Sequence, residues 1–230
     1  MTKRKYQLNE KVFDEINRSS AYWIGYLYGD GNCTTENKVR LCLSSVDKDM
    51  LYQFRNFIGA VDKPVKDYIG ANNKPYSRFE VRSWRFHNTL LKYELTKRKE
   101  KRGYIHPALL QREVVADFIR GVFDADGSFY FDGNHKNWLF AEITGYLPLL
   151  IVLKKVLVSY NIISDKKNIT KNGKIFRIRF PKDATLKLIP FLYKDNPNYF
   201  LSRKYGLAKN YLDRLNEITT RCGSNSRLCT

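Results

Sequence analysis

Asp30 and Asp126 are the residues of this sequence whose type and surroundings best suit chemistry. Each follows an apolar stretch and precedes a glycine, which suits a helix C-terminus because a left-handed residue can end the helix there. Two carboxylates at helix C-termini repel each other and meet helix dipoles of the same sign. If the two helices lie in parallel, a divalent cation with oxygen ligands would resolve that conflict.

The helices that lead to these acids carry small residues four positions apart. Gly25 and Gly29 lie in the first helix, and Gly121 and Ala125 lie in the second. A glycine inside a helix costs about 1 kcal/mol relative to alanine, so its presence indicates a compensating contact. Small residues on one helical face let two backbones approach closely, and we expect this face to form the interface between the two helices.

Residues 23–31 and 119–127 resemble each other, and both resemble the LAGLIDADG motif of homing endonucleases. The duplicated motif is similar to the single-chain form of that family. The second copy matches closely, whereas the first has Tyr28 and Gly29 where the family motif reads Asp-Ala. The last acid of the motif is present in both copies, 96 residues apart. The resemblance implies an α+β fold, a pseudo-two-fold tandem repeat of αββαββα.

Hydrophobic periodicity predicts the same element order in both halves. We divide the chain into repeat one (1–105), repeat two (106–218) and a tail (219–230) that we expect to be disordered. Ser19 or Ser20 can cap the first motif helix. Further helices are predicted at 47–57, 84–93, 112–125, 147–160, 183–192 and 199–215, and strands at 32–36, 38–45, 61–68, 76–82, 128–132, 138–144, 166–170 and 175–180.

The formal net charge is +18, from 41 basic and 23 acidic residues, and it indicates a polyanionic partner such as nucleic acid. Residues 1–105 hold 21 basic and 12 acidic residues and residues 106–230 hold 20 and 11, so each half carries +9. An even division predicts two similar binding surfaces rather than a basic tail. Charge that serves solubility alone is the alternative.

The sequence offers no zinc motif, because its cysteines do not form a Cys-x-x-Cys pair and its three histidines are scattered. It has no signal peptide and no apolar run that could cross a bilayer. We therefore expect a protein that is not secreted and binds no membrane, in the cytoplasm or in whichever compartment, organelles included, holds its DNA. Met1 and the Cys229-Thr230 ending do not match the termini of an intein.

The strand faces opposite the predicted core carry side chains that bond base edges and phosphates. A two-stranded ribbon fits the major groove, whereas an ordinary solvated face is the alternative for any single residue. We expect two four-stranded antiparallel sheets that form a saddle on double-stranded DNA, in which a monomer covers an asymmetric site of ~20 base pairs. The predicted contacts are Asn32, Thr34, Arg40, Ser44, Lys66, Tyr68, Arg78, Glu80, Arg82, Ser128, Tyr130, Glu142, Thr144, Lys166, Asn168, Arg177 and Arg179.

The resemblance implies that Asp30 and Asp126 hold magnesium, helped by the main-chain carbonyls of Gly29 and Ala125, with manganese or another divalent metal as a substitute. Metal-bound carboxylates can supply a nucleophilic water and an electrophile at the phosphate. We therefore expect a site-specific endonuclease that cuts both DNA strands across the minor groove. The alternatives are a catalytically silent DNA-binding regulator and an intron maturase that binds RNA on the same fold.

The family also places a basic residue near each scissile phosphate, and Lys99 and Lys204 are the candidates for this catalytic role. A solvated loop charge or a phosphate anchor is the alternative for each. Ser44 and Thr144, which the sequence places at matching positions on the second strands, are candidates to hold catalytic waters.

Overall fold

The computed structural model describes residues 6–33, 36–70, 73–95, 104–133 and 135–225, with all their side chains except those of 132, 135, 136 and 218–225. They form two units of the predicted order αββαββα. Repeat one contains α1 (Arg18–Gly29), β1 (Gly31–Cys33), β2 (Lys38–Ser44), α2 (Lys48–Phe57), β3 (Lys66–Ile69), β4 (Pro75–Arg82) and α3 (Trp84–Lys92). Repeat two contains α4 (Val115–Asp126), β5 (Gly127–Asp132), β6 (His135–Gly145), α5 (Leu147–Ser159), β7 (Thr170–Asn172), β8 (Ile175–Phe180) and α6 (Lys182–Tyr193), and α7 (Ser202–Asn225) follows.

Each repeat builds one four-stranded antiparallel sheet, with strand orders β1-β2-β4-β3 and β5-β6-β8-β7. Gly31 pairs with Leu41 in the first sheet, and Gly127 pairs with Ile143 in the second. Both glycines directly follow a motif acid, so the two sheets share one register. This register fixes which residues of the two repeats are equivalent. Buried residues alternate with more exposed ones along β2 and β4, as the period of two predicts.

The first motif helix begins earlier than the two serines suggest. Asn17 is the N-cap: its side-chain oxygen accepts from the N–H groups of Ser19 and Ser20, both at 3.0 Å. The Ser20 hydroxyl in turn accepts from the Asn17 N–H at 2.8 Å, which completes a capping box. The second motif helix begins at Val115, later than predicted, because residues 112–114 form a turn.

Strands β3 and β7 are shorter than predicted. β3 begins only after Pro64, which lacks the N–H that a strand ladder needs. β7 begins at Thr170, where the predicted strand ended, because a hydrogen-bonded turn at Ser164 uses the backbone groups before it. Lys166 and Asn168 therefore precede the second sheet, and their predicted place on its strand face is wrong.

Helix α7 is longer than predicted. It continues to Asn225, so the prediction of a disordered tail is wrong for residues 219–225, and 226–230 lie outside the described residues. The buried ring of Tyr211 lies 6.2 Å from that of Phe131, so α7 covers one end of the core face of β5. Among the helices of the described ranges, none has the length and apolarity to cross a membrane.

Helices α1 and α4 cross with their backbones in contact. A Cβ built on Gly25 would lie 2.1 Å from the carbonyl oxygen of Phe118, and one built on Gly121 would lie 2.0 Å from that of Tyr22. Real Cβ atoms do not approach backbone oxygen so closely, so only glycine fits at either position. The two contacts are related by the same 96-residue offset, which places the pseudo-two-fold axis through this crossing.

The two helices run in parallel. Gly25 lies against the middle of α4, whereas Gly29, one turn later, lies against Ala125 and Asp126 at its C-terminal end. Both helices therefore end on the same side of the molecule, and each continues directly into the first strand of its own sheet.

We expect Gly121→Ala to destabilise the protein by about 1–3 kcal/mol or more, because the added methyl group would force the two helices apart. Gly206→Ala is the matched control, since Gly206 lies in helix α7 with nothing within 4 Å of an added Cβ. It should stabilise the protein by up to about 1 kcal/mol. Urea titration measures the free energy of unfolding of both variants. Equal free energies would show that backbone contact does not limit the crossing.

Candidate functional site

The two motif acids lie at the shared C-terminal end of the crossed helices. A Cβ built on Gly29, the residue before Asp30, would lie 2.7 Å from Oδ2 of Asp126 and 2.4 Å from Cβ of Ala125. The absence of a side chain at Gly29 therefore makes room for the Asp126 carboxylate. Asp30 caps α1, and its N–H donates to the Tyr26 carbonyl at 3.1 Å. Both acids are half-buried.

This end of the helix pair is electrostatically negative, because two helix C-termini and two carboxylates meet there. Burial, reinforced by the charge of Asp30, raises the pKa of the Tyr26 hydroxyl well above its usual value. Within the described residues no group of three or more His, Cys, Asp or Glu side chains could hold a metal ion. A cation at this position would therefore draw on the two carboxylates and on main-chain oxygens.

Thr144 is bonded to the backbone of the second acid: its hydroxyl donates to the Asp126 carbonyl at 2.9 Å. Both residues line a pocket of about 200 Å³, which Tyr28 and Tyr146 also border. The shared strand register makes Cys42 the equivalent of Thr144. The prediction that Ser44 and Thr144 occupy matching positions is therefore wrong, because it ignored the register that the glycines impose.

Lys204 lies in the first turn of α7, and its side chain is only 4% exposed. Its Nζ donates to the carbonyls of Phe123 and Asp124, at 2.8 and 2.7 Å. Burial lowers the pKa of this ammonium to about 8. Its interpretation as a solvated loop charge is wrong, because it sits under the last turn of α4. Lys99, the other predicted lysine, lies outside the described residues.

Asp124, two residues before the second acid, is a site residue that sequence reasoning missed. It is 1% exposed, and its Oδ2 accepts from the Tyr22 hydroxyl and from the Leu201 N–H, both at 2.9 Å. Burial raises the pKa of this carboxyl to about 6. The available signal was an acid that follows Val122 and Phe123 in the motif helix, at a position flanked by apolar residues.

Tyr28 occupies the equivalent position in repeat one. Its hydroxyl donates to the carbonyls of Tyr93 and Tyr104, at 2.7 and 3.1 Å. Tyr28 as a donor and Asp124 as an acceptor therefore have the same structural role. Each bonds its motif helix to the segment that follows the third helix of its own repeat. Repeat one therefore has a hydrogen-bond donor at the position where repeat two has an acceptor.

The start of α7 also connects the two repeats. Arg203 donates to both carboxylate oxygens of Asp47, at 2.7 and 2.9 Å, and the Ser202 hydroxyl donates to Asp49 at 3.1 Å. Asp47 and Asp49 follow β2 of repeat one. The segment that places Lys204 is thus held by both repeats at once.

The strand faces predicted to contact DNA carry ion pairs between neighbouring strands. Nε of Arg40 donates to Glu80 at 2.5 Å, and Nε of Arg179 donates to Glu142 at 2.9 Å. Thr34 lies outside the described residues. The predicted residues of these faces that are exposed or half-exposed are Asn32, Arg40, Ser44, Lys66, Tyr68, Arg78, Glu80, Arg82, Ser128, Tyr130, Glu142, Thr144, Arg177 and Arg179.

The fold is shared with solved LAGLIDADG proteins at low sequence identity. One is the meganuclease I-AabMI bound to uncleaved DNA, at TM-score 0.57 and 14% identity over 90% of this chain and 92% of that one. Another is the homing endonuclease I-SmaMI bound to cleaved DNA, at TM-score 0.53 and 15% identity over 90% and 91%. Full-length DUF199/WhiA from Thermatoga maritima is also similar, at TM-score 0.52 and 14% identity over 95% and 71%. No protein-family model and no curated protein sequence matches this chain.

Proposed function

We propose that this chain is a site-specific endonuclease that hydrolyses both strands of a long asymmetric DNA target across its minor groove, as a monomer and with a divalent metal. The observation that carries the proposal is the parallel crossing that places Gly29 against the carboxylate of Asp126. That contact brings the two motif acids to one end of the helix pair, from which both sheets start. The meganucleases that share this fold are DNA-bound in their solved structures.

Charge supports duplex DNA as the substrate. The net charge of +18 divides evenly between the two halves, and each half contributes a sheet with a polar, partly exposed face. Two such faces on either side of a central acid pair suit two major-groove segments with the minor groove between them. We propose that the enzyme acts in the cellular compartment that contains this DNA.

The donor atoms at the acid pair fit magnesium, or manganese in its place. Carboxylates of Asp30 and Asp126 and main-chain carbonyls of Gly29 and Ala125 are all oxygen ligands, which a hard cation prefers. Because Gly29 has no side chain, its main chain lies next to the Asp126 carboxylate, so both could contribute oxygens to one cation. When bound, the metal would polarise the phosphate and lower the pKa of an attacking water.

The surrounding residues fix the main chain of α4 at this point. Helix C-termini leave four carbonyls without helical partners. At the end of α4, Lys204 donates to the Asp124 carbonyl and to the Phe123 carbonyl, which also accepts from the Gly127 N–H, and Thr144 donates to the Asp126 carbonyl. We assign the carbonyl of Ala125, between those of Asp124 and Asp126, to the metal. Lys204 and Thr144 therefore act in this proposal as positioning residues rather than as direct contacts to the phosphate.

A DNA-binding regulator without nuclease activity is the second candidate, because the fold also occurs in WhiA, which is not named as a nuclease. Both motif acids are present, which favours the enzyme. A magnesium-dependent cleavage assay decides between the two. An RNA-binding maturase is tested by comparing the salt dependence of affinity for duplex DNA and for intron RNA.

We expect Asp30→Asn and Asp126→Asn each to abolish double-strand cleavage while leaving DNA affinity within a few-fold of the original. Each change removes a charged metal ligand but keeps the size of the side chain. Cleavage of a site selected from a randomised library, followed on a gel with magnesium, measures activity, and a binding assay without metal measures affinity. Normal cutting by either variant would refute the role of these acids.

We expect Lys204→Met to slow cleavage of one DNA strand by about 10- to 100-fold, a loss typical of a misplaced catalytic group. The strand served by Asp126 should be affected more than the other, so nicked DNA should accumulate. Lys209→Met is the matched control, because Lys209 is an exposed lysine of the same helix. Strand-specific end labels measure both rates. Equal slowing of both strands, or an equal loss of binding, would reassign Lys204 to general stability or phosphate anchoring.

A further inference from the structure

The shared strand register reveals an ion pair whose two charges are exchanged between the repeats. Arg40 on β2 lies opposite Glu80 on β4 in repeat one. The equivalent row of repeat two has Glu142 on β6 opposite Arg179 on β8. In both rows the bond runs from the arginine Nε to a glutamate oxygen. The row is conserved as an arginine–glutamate pair, but the arginine occupies a different strand in each repeat.

The neighbouring row on the same faces is not exchanged. Arg78 on β4 lies opposite Cys42, and its equivalent Arg177 on β8 lies opposite Thr144. Arg78 stacks over the ring of Tyr68 at 4.4 Å, and Nη1 of Arg177 lies 3.6 Å from Glu142. Arg78 and Arg177 are therefore related by the pseudo-two-fold axis. Arg40 and Arg179, which lie beside them, are not.

We infer that the exchanged pairs, Arg40–Glu80 and Glu142–Arg179, set the base preference of the two half-sites. The position of the preferred guanine in each half-site depends on which strand carries the arginine. The exchange therefore breaks the two-fold symmetry of the DNA target. The inference rests on the proposed function. Arg179 lies on β8, which is one strand farther from β5 than β6, the equivalent of β2. The guanine read by Arg179 should therefore lie at a position not symmetric to that read by Arg40.

Guanine is the expected base because arginine binds its O6 and N7 in the major groove. A glutamate that holds Nε fixes the plane of the guanidinium before DNA arrives, so less side-chain entropy is lost on binding. Arg40 and Glu80 are each 29% exposed in their side chains, so the pair is ordered yet reachable. Strand neighbours lie ~4.8 Å apart, more than the 3.4 Å rise of a base pair, so moving the arginine by one strand moves it to a different base.

The test is the double variant R40E/E80R, which gives repeat one the arrangement of repeat two. Variant and original protein are used, without divalent metal, to select binders from a randomised DNA duplex library. In the half-site of repeat one, the preferred guanine should move to a new position, and the selected site should become more nearly palindromic. Replacing the original guanine should cost roughly 5- to 100-fold in affinity for the original protein and less than about 2-fold for the variant.

Two further variants separate base reading from folding. D14R/R85D exchanges the charges of an ion pair of 2.5 Å between the N-terminal segment and α3, which lie off the strand faces, and should leave the selected site unchanged. Glu80→Gln keeps Arg40 in place, so the guanine should remain at its position with weaker discrimination. If R40E/E80R does not fold, Arg40→Gln should remove the guanine preference of one half-site only.

Three results would overturn the inference. Selection of the same site by R40E/E80R and by the original protein would show that the pair does not read bases. A uniform loss of affinity for every sequence would make the arginines phosphate contacts. If the original protein selects no duplex site at all, the proposed function fails, and the inference fails with it.

Discussion

The close approach of two helix backbones is the constraint on which the rest of this structure depends. Gly25 and Gly121 each face a carbonyl oxygen of the other helix, so closely that a residue with a Cβ atom would not fit. The crossing brings the helices into parallel contact over their last two turns, so their C-termini meet. The sheets then start from a common point, because each first strand follows its helix without a connecting loop. The contact between α1 and α4 thus sets the positions of both the acids and the sheets.

This arrangement gathers negative charge, and the molecule offsets part of it with buried cations. Lys204 bonds the last turn of α4, and Arg120, 2% exposed, donates to the carbonyls of Tyr199 and Leu192 while paired with Asp117. Buried charges cost several kcal/mol to desolvate and contribute little net stability. Their value here is geometric, since Lys204 ties α4 to the first turn of α7 and Arg120 ties α4 to Leu192 of α6 and to Tyr199. The first turn of α7 also carries Arg203, which is bonded to Asp47 of repeat one.

The sequence predicts the parts of this design that are local or repeated. The period of two along β2 and β4, the apolar motif helices and the pair of Asp-Gly steps all lie within short windows. The boundaries of β3 and β7 were wrong because Pro64 and the turn at Ser164 override the hydrophobic pattern locally. Asp124 and Lys204 could not be placed, because their partners lie some 77–102 residues away along the chain.

Because both repeats lie in one chain, their residues need not be identical. The two repeats differ at positions away from the helix crossing. Both repeats keep a glycine at the crossing, since each glycine lies beside the axis and must fit against the other helix. Away from the axis, Tyr28 replaces an acid and Cys42 corresponds to Thr144. A pocket borders Asp126, and the buried Lys204 supports its helix. Because both acids share one end but have different supports, the symmetry of the backbone does not extend to the chemistry around each acid. An asymmetric protein of this kind would suit the asymmetric DNA target that we propose, since each half could adapt to its own half-site without changing the contact that holds the two halves together.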